Sequence, residues 1–231
     1  MERIPNPELD RIILNHLSDL YKLKEKRDKI HLSTLVSCLT RSFFDRMQDI
    51  EPTDRELMLF SLGFALQDVL TPQEATLPVF WKDGVVFSPD FFLPYGKEYC
   101  EIKTTRASLK KNKIALPEAW VEYIMGGCYI RDILQYQLSS LHILGSYNPP
   151  FPELYSETLV FTQEELQSNW DRLMERKVVF EKALADNQPP TPFQFCKEWE
   201  CKNCRHKIQC EALTMLAQIE ERKNEADTNS K

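Results

Sequence analysis

The sequence predicts an α/β fold, a mixed sheet covered by helices, on three observations. Helical spacing of apolar residues fills most of residues 8–70. Alternation of apolar and β-branched residues then takes over from Ala75 to Thr104. A helical stretch from Pro117 joins that strand region to a later strand, "SETLVFT" at 156–162. At 231 residues the chain can bury a sizeable core without disulfide staples.

Each element has a local cause. Leu9, Ile12, Ile13, Leu17 and Leu20 recur at helical spacing within residues 8–27. The run "HLSTLVSCLTRSFFDRM" (31–47) reads as a second helix opened by Ser33 or Thr34, with Cys38 inside it. After Pro52, Thr53 caps a third helix to about Leu70, in which Gly63 and Gln67 lie one turn apart on one side. Three or four strands of an antiparallel meander follow, turning at Asp83-Gly84 and at Pro94-Tyr95-Gly96. Pro117 opens a long helix through Leu144, which ends at Gly145 and the Asn148-Pro149-Pro150 turn. Thr162 and Glu165 form a capping box for a helix to about Ala185, and "QPPTP" (188–192) closes that part. The tail "ERKNEADTNSK" (221–231) is polar enough to be disordered.

Charge and composition restrict the function. A net charge of −6 argues against a surface that attracts nucleic acid everywhere, so any DNA contact is confined to local basic patches. No apolar run approaches the length of a membrane span and nothing resembles a signal peptide, so the expected location is cytoplasmic, with no membrane partner.

The chemistry concentrates in "SPDFFLPYGKEYCEIKTTRAS" (88–108). On a strand, side chains two apart share a face, so Glu101 and Lys103 point one way while Cys100, Ile102 and Thr104 point the other. A hairpin through "LPYGK" brings Asp90 beside Glu101. Two carboxylates that close repel unless a positive group lies between them, and Mg²⁺ or Mn²⁺ is the usual resolution. Such an ion polarises a phosphate and lowers the pKa of its bound water, with Lys103 placed to orient that water or stabilise the pentacovalent charge. An E-x-K triplet on a solvated strand is commonly no more than an ion pair, but this one lies among apolar strands. The adjoining "KTTRASLKKNK" (103–113) holds five basic residues and no acid, which suits a phosphate backbone.

Seven cysteines, an odd number in a chain with no secretion signal, fit a disulfide framework poorly. Cys100 and Cys128 sit in strand and helix, where buried thiols are ordinary. "CKEWECKNCRHKIQC" (196–210) holds a C-x₂-C pair, Cys201 and Cys204, with Cys210 six residues beyond. A four-coordinate thiolate site needs one more ligand, either Cys196 or the distant Cys38. A zinc ribbon usually brings two C-x₂-C knuckles, whereas an iron-sulfur cluster tolerates this irregular spacing.

Together, the early cysteine in "LSTLVSCLTRSFF", the glycine-bearing helix, the D…E-x-K strand pair, a glutamine-bearing helix and the closing C-x₂-C-x₅-C resemble the CRISPR-associated RecB-like exonucleases, the fourth of the numbered Cas families. The likeness runs in order over residues 31–212. It divides the chain into an N-terminal helix (1–30), a nuclease domain (31–212), and a helix end with a polar tail (213–231). It implies a restriction-endonuclease-like PD-(D/E)-x-K fold. It also implies a [4Fe-4S] cluster on Cys38, Cys201, Cys204 and Cys210, leaving Cys196 spare, and a cluster that joins the two ends of the domain as a clamp. The implied activity is metal-dependent exonuclease cleavage of single-stranded DNA from its ends. It belongs to antiviral defence, in the trimming of new spacers before CRISPR integration, with a CRISPR integrase complex as partner. Asp90 and Glu101 would bind Mn²⁺ or Mg²⁺ and Lys103 would assist attack.

The chain departs from the pattern in two places. Gln67 stands where the family often has a histidine, its amide oxygen a possible metal ligand. The Q-x₃-Y motif is represented by Gln135 or Gln137, followed at the fourth position by Ser139 or Leu141. These departures define a rival expectation, a DNA-end-binding or scaffold subunit whose nuclease site is weakened. A zinc-stabilised binding module is a third. Tyr95, Tyr99, Trp120 and Tyr123 lie near the basic stretches and suit either base stacking or the core.

Overall fold

The computed structural model describes residues 7–22, 28–48, 50–71, 77–93, 98–107, 116–143, 151–191, 198–202 and 204–228. Cys196, Tyr95, the 94–96 and 148–150 turns and most of the basic run lie outside them. The chain divides into two compact units, Met1–Leu32 with Pro52–Trp170, and Ser33–Glu51 with Asp171–Lys231.

In the first unit, helix α1 (Pro7–Lys22) packs on helix α4 (Asp54–Leu70). Thr53 caps α4 as expected, and Glu56 returns a bond to the Thr53 backbone, closing a full capping box. Strands β1 (Ile30–His31), β2 (Phe80–Lys82) and β3 (Val85–Phe87) form a small sheet in the order β1-β3-β2, with β1 parallel and β2 antiparallel to β3. The β2–β3 turn falls at Asp83-Gly84. Both residues have positive φ, 49° and 77°, the backbone of a type I′ hairpin.

A second sheet runs β4-β5-β6-β7, from Phe91–Leu93, Glu98–Thr105, Gln135–His142 and Glu153–Val160. The strand-rich region therefore builds two mixed sheets, not the single sheet that alternation suggested. Between β3 and β4 the chain passes through Ser88-Pro89, and proline has no N–H for a ladder. β5 and β6 are parallel, and such a pair requires a crossover, here helix α5 (Glu118–Arg131).

The expected helix from Pro117 to Leu144 is corrected: it stops at Arg131, and Asp132 terminates it in the left-handed conformation with φ 56°. The residues beyond belong to a strand because Tyr136, Leu138 and Ser140 are buried while Gln135 is exposed and Gln137 and Ser139 are half-buried, a period of two. α5 lies tight on β3. A Cβ built at Gly127 would come within 2.5 Å of the Phe87 ring. Val85, Val86, Phe87, Ile124, Cys128, Tyr136 and Leu138 form the core here.

In the second unit the expected continuous helix over 31–47 is broken. Helix α2 (Leu32–Val36), which begins at the unit boundary, and helix α3 (Leu39–Met47) are separate. Cys38 lies between them as the N-cap of α3, its Sγ accepting from the Arg41 backbone N–H at 3.5 Å. Arg176 of helix α6 (Gln163–Asp186) donates to the carbonyls of Leu35 and Ser37, which the end of α2 leaves unpaired within its own helix. The start of α6, which belongs to the first unit, carries the anticipated Thr162–Glu165 capping box. Leu35, Leu39, Phe43, Phe44, Leu173 and Phe180 form this unit's core.

Helix α7 (Glu198–Cys201) and helix α8 (Lys207–Thr228) complete the described chain. The helix reaches Thr228 where polarity alone suggested a disordered tail, because glutamate, lysine, arginine and alanine are good helix formers. Among the described residues no helix is long and apolar enough to cross a membrane.

Candidate functional site

The β4–β5 pairing brings the two acids together. Its register sets Phe91 opposite Cys100, so one step further Asp90 falls opposite Glu101. The ladder continues there, with the Asp90 N–H donating to the Cys100 carbonyl at 3.2 Å. Asp90 Oδ2 accepts from the Ile102 N–H at 2.8 Å, and Asp90 Oδ1 accepts from Gln67 Nε2 at 2.7 Å. Gln67 thus presents its amide nitrogen to the acid. Its place one turn before the end of α4 is what brings it there.

Glu101 is 2 % exposed. Its Oε1 is paired with Lys103 Nζ, whose ammonium also lies 4.8 Å from the centre of the Tyr123 ring. Glu101 Oε2 is buried and has no hydrogen-bond donor. Burial pushes the Glu101 carboxyl up to about 8, and the charge on Asp90 adds to the rise while Lys103 opposes it. Burial also raises Asp90, against the pull of Lys103, the Ile102 N–H, Glu101 and Gln67. Burial thus raises both carboxyls of the pair.

These groups fit a hard divalent ion. Among the described residues no group of three or more His, Cys, Asp and Glu side chains forms a ready metal cage. Mg²⁺ does not need one: it is usually held by one or two carboxylates, keeping waters and substrate phosphates as its other ligands. A buried carboxylate oxygen without a donor, facing a second acid, is the donor set such an ion takes.

Reasoning from sequence overlooked Tyr136. Parallel pairing of Cys100 with Gln137 puts Tyr136 on the Glu101 face of the sheet, 2 % exposed, its hydroxyl buried and without a hydrogen-bond partner. Burial and then the charge of Glu101 are the largest influences raising its pKa, with Tyr123 and Asp90 adding to them. The Arg131 guanidinium stacks 4.3 Å from Tyr99, 5.2 Å from Phe80 and 5.9 Å from Tyr136, closing this end of the pocket with an aromatic-lined cation. Tyr123 donates to the Ser88 carbonyl at 3.3 Å.

Gln135 and Gln137 are not brought to this pocket. Both lie on the other face of β6 and donate to Glu98, at 2.9 and 2.6 Å, while Thr158 donates to Gln137 Oε1 at 2.9 Å. The alternation that buries Tyr136 turns its two neighbours away.

The second unit holds the cysteines. Cys38 is buried, and Cys201, Cys204 and Cys210 are half-buried; none of the four is in a disulfide. Cys210 is pushed up to about 11 by burial and then by Cys204, Cys38 and Cys201. Cys204 is raised by burial too, with the His206 backbone N–H and Arg41 pulling the other way. The thiols do not converge on one point as single-ion ligands would. A cluster is larger than one ion, and the backbone N–H donors at Cys38 and Cys204 are the kind of partner that cluster thiolates take. The surrounding frame is ordered: Cys38 N–H donates to Glu200 Oε1 at 3.2 Å and Cys210 N–H to the His206 carbonyl at 3.0 Å.

No protein-family model and no curated protein matches this chain. Among solved structures it is similar to the crystal structure of SSO0001, at a TM-score of 0.54 and 17% identity over 88% of this chain and 96% of that one. It also matches the crystal structure of a phage related exonuclease from Haemophilus somnus 129PT, at a TM-score of 0.43 and 10% identity over 73% of this chain and 100% of that one. The likeness to SSO0001 is one of fold.

Proposed function

We propose that this chain is a metal-dependent exodeoxyribonuclease that hydrolyses the phosphodiester bonds of single-stranded DNA from its ends, with an iron-sulfur cluster in its second unit. The observation that carries the reading is the meeting of Asp90 and Lys103 at the buried Glu101 carboxyl. Asp90 and Glu101 hold Mn²⁺ or Mg²⁺, and the bound ion supplies Lewis acidity toward phosphate and an activated water. Gln67 and the Ile102 N–H fix the Asp90 carboxylate by two hydrogen bonds, leaving its rotamer little freedom. Lys103, held between Glu101 and the Tyr123 ring, carries the positive charge that stabilises the pentacovalent phosphate. Cys38, Cys201, Cys204 and Cys210 hold a [4Fe-4S] cluster that serves first as a structural clamp. The family likeness adds a cytoplasmic setting, spacer trimming before CRISPR integration, and a CRISPR integrase complex as partner.

The test uses end-labelled single strands with Mn²⁺. Asp90→Ala and Lys103→Ala should each abolish cleavage while the anaerobically purified protein keeps its brown colour. Retained cleavage in both variants refutes the assignment of the site.

One observation favours a second reading, a DNA-end-binding or scaffold subunit with a weakened site. Gln67 offers Asp90 a donor and brings no charge for a cation. In the same Mn²⁺ titration, binding of the strand without cutting supports that reading.

A further inference from the structure

Two buried polar atoms in the first unit lack hydrogen-bond partners on the same face of one sheet, Glu101 Oε2 and the Tyr136 hydroxyl. They stand on adjacent strands: Glu101 pairs with Leu138, and Tyr136 lies two residues before Leu138. Glu101 is the charged group that acts most strongly on the tyrosine, and Asp90 also reaches it. A buried hydroxyl without a partner is unfavourable, and so is a buried carboxylate oxygen without a donor. One water with both as partners satisfies the two together. Asp90 is already anchored by Gln67 and Ile102, and Glu101 Oε1 by Lys103, so Glu101 Oε2 is the one carboxylate oxygen of Glu101 left to be oriented.

We infer that Tyr136 is a positioning residue of the cation site, its hydroxyl anchoring Glu101 through one buried water. This rests on the reading of Asp90 and Glu101 as cation ligands. It goes beyond that reading by giving the site a phenol donor that no sequence motif marks. With the cation bound, the hydroxyl holds the ligand carboxylate in place, as hydrogen-bonded outer groups do at metal sites generally.

One substitution separates positioning of the cation ligand from a purely structural role. In Tyr136→Phe, the metal-free protein should still unfold cooperatively, close to the parent's urea concentration, because only a water-mediated bond is lost. Its Mn²⁺ affinity, read by calorimetry or by the electron paramagnetic resonance signal of free Mn²⁺, should fall about tenfold or more. Asp90→Asn serves as the control that removes a ligand. If the parent binds Mn²⁺ and Asp90→Asn does not, yet Tyr136→Phe binds as tightly as the parent, the role of Tyr136 is overturned while the cation site stands. If Tyr136→Phe no longer folds cooperatively in the metal-free state, the hydroxyl's role is structural and the inference fails. If the parent binds no Mn²⁺, both the site and this inference fall.

Discussion

The carboxyl groups of Asp90 and Glu101 meet across the β4–β5 pairing, and burial raises both. This determines how the metal-free protein responds to pH. The folded state raises Glu101 from an ordinary 4.5 to about 8. A carboxyl raised in this way contributes stability that is fully present below the unfolded value and lost as pH climbs through the folded one. With chelator present, stability should therefore decline between about pH 4.5 and 8, each unit costing at most about 1.4 kcal/mol. Glu101→Gln keeps the group neutral and should flatten the decline. Urea unfolding at pH 5 and pH 8 reads the difference, and an equal slope in parent and variant would contradict the pairing.

Two glycines on different helices should respond in opposite directions to a methyl group. At Gly127 an added Cβ meets the buried Phe87 ring at 2.5 Å, whereas at Gly63 it meets nothing within 4 Å. Replacing a helix-interior glycine with alanine is worth up to about 1 kcal/mol when nothing obstructs it. Overpacking a core costs about 1–3 kcal/mol. Gly63→Ala should raise the unfolding midpoint and Gly127→Ala should lower it, with thermal unfolding as the measurement.

Much of this frame is legible in sequence because it is local. Thr53 and Thr162 announce their helices by the residues three positions on, and Asp83-Gly84 announces its turn by backbone freedom. The meeting of Asp90 and Glu101 follows from a short hairpin and strand alternation. What was not legible required distant partners or a choice between two valid periods. Leu134, Leu138 and Leu141 fit a helix as well as Tyr136, Leu138 and Ser140 fit a strand, and pairing with β5 and β7 decides for the strand. Cys38 looked like a residue within a helix because the break beside it depends on Arg176, far along the chain, binding the freed carbonyls. Tyr136 carries no motif at all: its hydroxyl becomes notable only when folding buries it beside Glu101 without a partner.

The cysteines separate into two chemical populations, which substitution should reveal. Cys100 and Cys128 are buried thiols that burial pushes up to about 11 and about 12, within sheet and helix. Cys210 is raised by burial and then by Cys204, Cys38 and Cys201. Cys38→Ser and Cys210→Ser should each lose iron from protein purified without air, while Cys100→Ser and Cys128→Ser should retain it, by iron analysis and visible absorbance. Stripping the iron from the parent with a chelator should lower its unfolding temperature, since metal binding adds to folding free energy. Zinc in place of iron, with no colour, would favour a zinc-stabilised module.

The frame around those cysteines depends on one acid. Asp45 of α3 accepts from Arg205 at Nε and Nη2, pairs with His206 Nε2 at 2.7 Å, and has Arg41 at 3.5 Å. His206 is fully buried, its ring 5.2 Å from Phe44 and its Nδ1 3.0 Å from Gln209 Oε1. Burial by itself would raise Asp45, but His206, Arg205 and Arg41 together hold it below the ordinary 3.8. A carboxyl lowered in this way adds stability above its ordinary pKa and loses it as pH falls through the folded value. Asp45→Asn should therefore cost about 1–3 kcal/mol near pH 7, where two buried or half-buried donors lose a charged acceptor. The gap between parent and variant should shrink in acid once the parent's own carboxylate is protonated. Urea unfolding of the two proteins at pH 7 and in acid measures it. A gap that stays constant would mean that Asp45 acts through its shape and not its charge.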